Sequence, residues 1–130
     1  MSTEVNMDNT QICEALFDAF ATGNEERARA LCSPDLQAWQ NSNPPMGLDL
    51  LLAFSKSVHS VVQDFRYEEA KRSATATGFV EEHRVRGTLP DGGSLDLAVC
   101  VVADVRDGKV VDLREYLDTS AASGLIAALS

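Results

Sequence analysis

The chain has little positive charge, few cysteines and no long apolar run, and each shortage removes a class of function. Eleven Lys and Arg stand against twenty Asp and Glu, a net charge of −9. Nucleic acids and anionic membrane surfaces ask for basic patches, so neither is an expected partner. The acidity itself reads as a source of solubility. No stretch approaches the roughly 18 consecutive apolar residues of a membrane-spanning helix. The three cysteines, Cys13, Cys32 and Cys100, are odd in number and show no C-x-x-C spacing. Free buried thiols in a cytoplasmic protein are the expected arrangement. Two scattered histidines, His59 and His83, make no ligand set with them, so no metal and no other cofactor is expected. The P-loop, G-x-G-x-x-G, G-x-S-x-G and H-E-x-x-H patterns are all missing.

What remains is a chain able to fold without staples. At 130 residues and 45% hydrophobic composition, it can bury a core in one domain, expected over residues 10–130. Residues 1–9 are polar and acidic, unlike a secretion signal, and are expected to form a flexible arm. There are no repeats, low-complexity segments or linkers.

Residues 78–118 organise the rest. They read as three consecutive antiparallel strands, over 79–89, 94–106 and 109–118, separated by Pro90-Asp91-Gly92-Gly93 and Asp107-Gly108. Upstream, Ile12, Cys13, Leu16, Phe17 and Phe20 form a helical stripe over residues 10–22, with Thr10 able to cap its start and Gly23 suited to its end. Asn24 can cap a short helix over 25–32, whose first turn carries Glu25 and Glu26, where the helix dipole favours negative charge. A short strand over 36–41 follows, then Asn43-Pro44-Pro45, then a longer helix over 47–64 in which His59 sits at the edge of an apolar stripe. A mixed strand over 65–74 and a short terminal helix over 120–129 complete the chain. Helices followed by a run of strands give the α+β class. The expected form is a cone: a curved antiparallel sheet with about three N-terminal helices across its concave face and one end open.

Strand parity then selects side chains. In the last strand Val111, Leu113, Glu115 and Leu117 share one face. A lone carboxylate in an apolar row must find a partner, take up a proton or sit at a wet mouth, and each makes it a candidate acid or base. A two-residue turn at Asp107-Gly108 places Cys100 opposite Glu115; a three-residue loop places Val99 there and aligns the apolar residues, which favours it. The preceding hairpin leaves two registers open. A loop of Pro90 to Gly93 turns Glu82, Arg84 and Arg86 inward, where Glu82 and Arg84 could hold Glu115 through a charge network. A slip of one residue turns Phe79, Glu81, His83 and Val85 inward and makes His83 the polar group of the pocket.

These residues resemble the nuclear transport factor 2-like superfamily (the cystatin-like cone of SnoaL-like polyketide cyclases, ketosteroid isomerases and limonene-1,2-epoxide hydrolase), over about residues 10–128. Trp39-Gln40-Asn41 followed by prolines is similar to the epoxide hydrolase branch's Tyr-Gln-Asn strand, and Leu89-Pro90-Asp91-Gly92 to its hairpin. Arg114-Glu115-Tyr116-Leu117-Asp118 is similar to its Arg-Asp-Tyr-Phe-Asp strand. The resemblance places Glu115 on the family's last-strand acid and Asn41 on a water-holding asparagine. Trp39 stands where that branch has a tyrosine, and an indole nitrogen accepts no hydrogen bond. Glu82 and Arg84 fall on its Arg-x-Asp pair with the charges exchanged, and an arginine does not readily protonate a departing epoxide oxygen.

The expected function is therefore a pocket for a small hydrophobic molecule, with isomerase, cyclase or hydrolase chemistry at Glu115, assisted by Arg84 and Glu82. Trp39, Asn41, His83, Val99, Leu113 and Leu117 are the expected ligand contacts. The alternative is a non-catalytic ligand-binding or dimerisation module in which Glu115 only balances Arg84. Both readings predict a homodimer, packed through the outward face that carries Ala98, Cys100, Val102 and Tyr116.

Overall fold

A computed structural model describes residues 7–130. Most of the arm expected over residues 1–9 lies outside the described residues. The first helix, α1 (Asn9–Thr22), starts one residue before the expected point. Asp8, not Thr10, is its cap: the Asp8 carboxylate accepts from the Gln11 amide, and the Gln11 side chain accepts from the Asp8 amide. This reciprocal pair satisfies two donors that a helix start leaves open, which a lone threonine hydroxyl would not. Gly23 ends the helix at φ 67°, in the left-handed region. Asn24 caps α2 (Glu25–Leu31) by accepting from the Arg27 amide.

Strand β1 (Cys32–Gln40), the two-residue β2 (Met46–Gly47) and helix α3 (Leu48–Val61) follow. The long strands are β3 (Gln63–Ala74), β4 (Gly78–Thr88), β5 (Ser94–Arg106) and β6 (Lys109–Leu117), and α4 (Ser123–Leu129) closes the chain. One six-stranded sheet has the order β2-β1-β6-β5-β4-β3. All neighbours are antiparallel except β1 and β6, which run parallel. Among the described residues four helices and a curved, unclosed sheet make the α+β cone that the order of elements predicts.

Bulges give the sheet its curvature. In β3 the register shifts twice, near Asp64 and Glu69, both at φ 56°, and such bulges sharpen local twist. Helix α1 lies in the resulting hollow. Its predicted stripe of Ile12, Cys13, Leu16, Phe17 and Phe20 is fully buried, and Phe17 meets Phe79 of β4 edge to face at 6.4 Å. Burying a side chain of this size contributes about 1.5–3 kcal/mol. At Gly78 the strands approach so closely that a Cβ would stand 1.9 Å from the Ala103 carbonyl oxygen, so no larger residue fits there.

Two registers needed the structure. Between β4 and β5 the loop has five residues, from Leu89 to Gly93, and Thr88 faces Ser94. This is the slipped register, with Val99 opposite His83 and Val101 opposite Glu81. Burial of Phe79 and Val85 outweighs the shorter loop. Between β5 and β6 the turn has two residues, Asp107 and Gly108, at φ 52° and 74°. A bulge at Val111 then moves the pairing on, so Val101 and not Val99 faces Glu115, and Val99 faces Leu117. The two shifts together preserve the predicted parity: Leu97, Val99, Val101 and Ala103 all point inward and are buried.

Candidate active site

Pairing across the sheet lines up one polar row. Gln40 of β1 pairs with Glu115 of β6, Glu115 with Val101 of β5, Val101 with Glu81 of β4, and Glu81 with the neighbourhood of Arg72 on β3, whose register partner is Glu81 itself. Two carboxylates therefore share a rung and a face, with one valine between them. Above this rung come Leu117, Val99 and His83; above that come Leu97, Val85 and Tyr67.

Glu115 lies at the wall of a cavity of about 450 Å³ between the concave face of the sheet, α1, α3 and α4. The cavity is walled mainly by apolar groups, among them Phe17, Phe54, Val99, Leu113, Leu117 and Leu125. Its polar contributors include Gln40, Asn41, Tyr67, Glu115 and Thr119. A volume of this size suits a small organic molecule. The Glu115 carboxyl has one side-chain hydrogen bond among the described residues, a long one of 3.4 Å from the Gln40 amide to Oε1. No arginine or lysine pairs with it among those residues. Burial pushes its pKa above the usual carboxylate range, and the charge of His83 offsets only part of this.

Tyr67 presents its phenol to the same cavity. Burial first, then the negative charges of Glu115 and Glu81, push that phenol above its ordinary pKa. It therefore stays an O–H donor, and among the described residues its hydroxyl makes no hydrogen bond.

Glu81 is the opposite case. It is fully buried, and its Oε1 accepts from Arg72 Nε at 2.8 Å and from the Cys13 thiol at 3.6 Å. Its Oε2 lies 2.6 Å from His83 Nδ1, which donates to it. Burial alone would raise its pKa, but the hydrogen bonds from His83 and Arg72 outweigh that and hold the carboxyl below the usual range. The Cys13 thiol, by contrast, is pushed up to about 12 by burial and then by Glu81, so it stays a neutral donor.

The other expected site residues divide. Val99, Leu113 and Leu117 line the cavity. Asn41 does too, but its amide is engaged: Nδ2 donates to the Leu117 carbonyl at 3.1 Å, and Oδ1 accepts from the Leu117 amide at 3.0 Å. It clamps the end of β1 to β6. His83 faces the concave side yet stands behind the cavity wall, 3% exposed, with its ring 4.5 Å from that of Tyr67 and 4.9 Å from that of Phe17. Trp39 points to the outer face, because Gln40 takes the inward position beside Glu115; its indole N–H donates to Asp112 at 3.4 Å.

Glu82 and Arg84 also lie outside, and their assignment beside Glu115 is corrected. The one-residue register slip puts Glu82 in solvent and lets Arg84 Nε donate to Asp96 at 2.7 Å. Glu115 has no balancing arginine in Arg84. His59 donates from Nε2 to the Phe20 carbonyl at 2.6 Å and so caps the end of α1.

Two residues of the site escape a reading of the sequence. Gln40 is placed by the parallel pairing of β1 with β6, a long-range choice that no local pattern encodes. Tyr67 sits on a strand whose alternation is broken by bulges on either side. Among the described residues no group of three His, Cys, Asp or Glu could hold a metal ion, and no helix is long and apolar enough to cross a membrane.

Comparison with known proteins fits this geometry. A candidate polyketide cyclase of Xanthomonas campestris superposes with a TM-score of 0.79 at 21% identity, over 94% of this chain and 96% of its own. An LEH-like epoxide hydrolase of M. tuberculosis gives 0.74 at 18% identity, over 92% of each chain. A protein of Catenulispora acidiphila with a ketosteroid isomerase-like fold gives 0.75 at 12% identity, over 85% of this chain and 88% of its own. Identities this low speak for a shared fold alone. No curated protein matches the chain. The model of the SnoaL-like domain matches residues 13–113, and the chain belongs to that family of nuclear transport factor 2-like cones.

Proposed function

We propose that the cavity binds a small, largely apolar molecule carrying a carbonyl group and that Glu115 moves a proton on it. The observation that supports this most is the state of Glu115: a carboxyl on an apolar cavity wall, with a single long hydrogen bond and no paired cation among the described residues. A raised pKa suits a group that must both take and return a proton near neutral pH. In its ionised form Glu115 removes a proton from the carbon next to the carbonyl. The electron pair moves onto the carbonyl oxygen, and the Tyr67 O–H donates a hydrogen bond to the oxygen as charge builds there. The protonated Glu115 then returns its proton at another carbon, which shifts a double bond. Alternatively the enolate carbon attacks a second carbonyl in the same molecule and closes a ring; the π pair of that carbonyl moves onto its oxygen, and the protonated Glu115 gives its proton to the alkoxide so formed.

Epoxide opening by water is less well served. The strand that would supply an acid for the leaving oxygen turns Glu82 and Arg84 outward, and both atoms of the Asn41 amide are already bonded to Leu117. A homodimer belongs to the same proposal. Ala98, Cys100, Val102 and Tyr116 remain at least partly accessible on the outer face, with Tyr116 50% exposed, and sedimentation at micromolar concentration tests it. Three free thiols fit a cytoplasmic setting.

The decisive test is exchange of α-protons for deuterium in a panel of apolar ketones, followed by proton NMR. Wild type is expected to catalyse the exchange of at least one ketone that it binds. Glu115→Gln is expected to bind that ketone and lose about 10²- to 10⁴-fold in exchange rate. Binding without exchange in wild type would make the protein a ligand carrier instead.

A further inference from the structure

We infer that Ser55 is a specificity-determining residue of this site: its hydroxyl, on the α3 wall of the cavity, binds a second oxygen of the ligand, remote from the carbonyl that Tyr67 meets. The inference rests on the reading of this cavity as the binding site. It begins from α3, whose buried row of Leu48, Leu51, Leu52 and Val58 is interrupted by the half-buried Ser55. A serine inside a helix commonly turns its hydroxyl back onto a carbonyl of the preceding turn. Exposed Ser57 does so, donating to the Ala53 carbonyl at 3.1 Å, and exposed Ser60 donates to the Ser57 carbonyl at 2.6 Å. The Ser55 hydroxyl makes no such bond among the described residues, nor any other. It is not sealed in either. Every buried side-chain nitrogen or oxygen among those residues has a partner, so a half-buried hydroxyl without one borders open space. That space is the cavity, to whose wall Ser55 belongs.

The place of Ser55 in the molecule fits that role. Tyr67 stands on the sheet and Ser55 on a helix, so the two unpaired hydroxyls belong to different walls of one cavity. A second, smaller cavity of about 310 Å³ adjoins the first, and Phe20 and Ser55 border both. Asn24, Glu25, Lys56 and His59 are among the residues that line the smaller one. An oxygen set against Ser55 therefore stands at a junction with a polar cleft, not against a closed apolar wall. A ligand with only hydrocarbon at this point covers the hydroxyl, strips its water and leaves it unpaired, which is costly. A ligand oxygen replaces that water. Because a serine hydroxyl both donates and accepts, the oxygen can be that of an alcohol or of a second ketone. Few and well-placed polar groups in an apolar wall are what orients a small molecule. The site thus favours a molecule with oxygens at two separate ends over one with a carbonyl alone.

The test compares affinities within matched pairs. The probes are 2-decalone and 2-tetralone, each set beside its counterparts with one hydroxyl or keto group on the far ring, and calorimetry gives the Kd of each. Wild type is expected to bind at least one doubly oxygenated member about 5- to 30-fold more tightly than its parent ketone. Ser55→Ala keeps the helix, since alanine is the better helix former, and is expected to bring that ratio close to one while leaving the parent's Kd nearly unchanged. Ser57→Ala, on the same helix but bonded to its own backbone, is expected to keep the wild-type ratio. A merely structural serine would change stability and both affinities together, and would not move their ratio. A preference that survives in Ser55→Ala overturns the inference, and so does a wild type that binds both members of every pair alike. Binding with the expected preference but without α-proton exchange sinks the catalytic reading and leaves this one standing. Exchange without the preference does the reverse, and a set in which nothing binds contradicts both.

Discussion

Glu81 and Glu115 occupy the same rung of the same sheet face, one valine apart, and they are opposites. Glu81 has three donors, two of them from basic side chains, and no exposure. Among the described residues Glu115 has one long side-chain hydrogen bond, from an amide, and it opens onto the cavity. Burial acts on both in the same direction, and the partners decide the outcome: Glu81 is held below the usual carboxylate range and Glu115 above it. The first carboxylate ties α1 to the sheet. The second is left under-partnered at the place where a ligand would sit. Position on a strand thus selects which acids face inward, and the cations nearby select which of those can do chemistry.

The comparison can be broken by exchanging one acid at a time. The largest effect on function is expected at Glu115→Gln, the 10²- to 10⁴-fold loss of exchange given above, equivalent to about 3–5 kcal/mol of barrier. Its effect on stability has the other sign. A carboxyl whose folded pKa lies above its unfolded value destabilises the fold once the pH exceeds the unfolded value of about 4.3, and fully so above the folded pKa. Urea unfolding is therefore expected to show Glu115→Gln at least as stable as wild type at pH 8, with the difference vanishing near pH 4.

Glu81→Gln is expected to lose about 3–5 kcal/mol at neutral pH, because it leaves the buried His83 and the half-buried Arg72 without their anion. Glu81 has a depressed folded pKa, so its contribution is present above about pH 4.3 and fades as the pH falls through the folded value. The gap between this variant and wild type should narrow in acid, and a gap that widens would contradict the assignment. Tyr67→Phe comes next: loss of one donor to the oxyanion is expected to slow exchange by about 10- to 10³-fold with the fold retained, and circular dichroism with the exchange assay checks both. The smallest effect is expected at Glu82→Gln on the outer face, within about 0.5 kcal/mol in stability and without change in exchange. A large loss of exchange there would restore the register in which Glu82 faces the pocket.

Local periodicity carries much of this molecule. The α1 stripe from Ile12 to Phe20, the left-handed cap at Gly23 and the inward face of Leu113, Glu115 and Leu117 all follow from spacing alone. The register of β4 does not, because its two faces are both polar enough to be read as outside. Glu81, Glu82, His83 and Arg84 differ by little in hydrophobicity, and the inward pair becomes affordable only through Arg72 and Cys13, which lie 9 and 68 residues from Glu81. Loop length pointed to the wrong pair. The bulge at Val111 was equally invisible: it moved the pairing by one residue, which together with the two-residue turn kept Leu113, Glu115 and Leu117 facing inward but gave Val110 the buried place expected of Val111. Gln40 and Tyr67 depended on long-range pairing and on bulges, and those are set by packing across the whole sheet rather than by any local pattern.

The proton transfer proposed for the cavity requires Glu115 to hold its proton more tightly than a glutamate in water does. A carbon-13 titration of the wild-type carboxyls, with Glu115→Gln used to identify the signal that disappears, measures this directly. The Glu115 midpoint is expected clearly above the ordinary value of about 4.3. A midpoint at or below that value would contradict it.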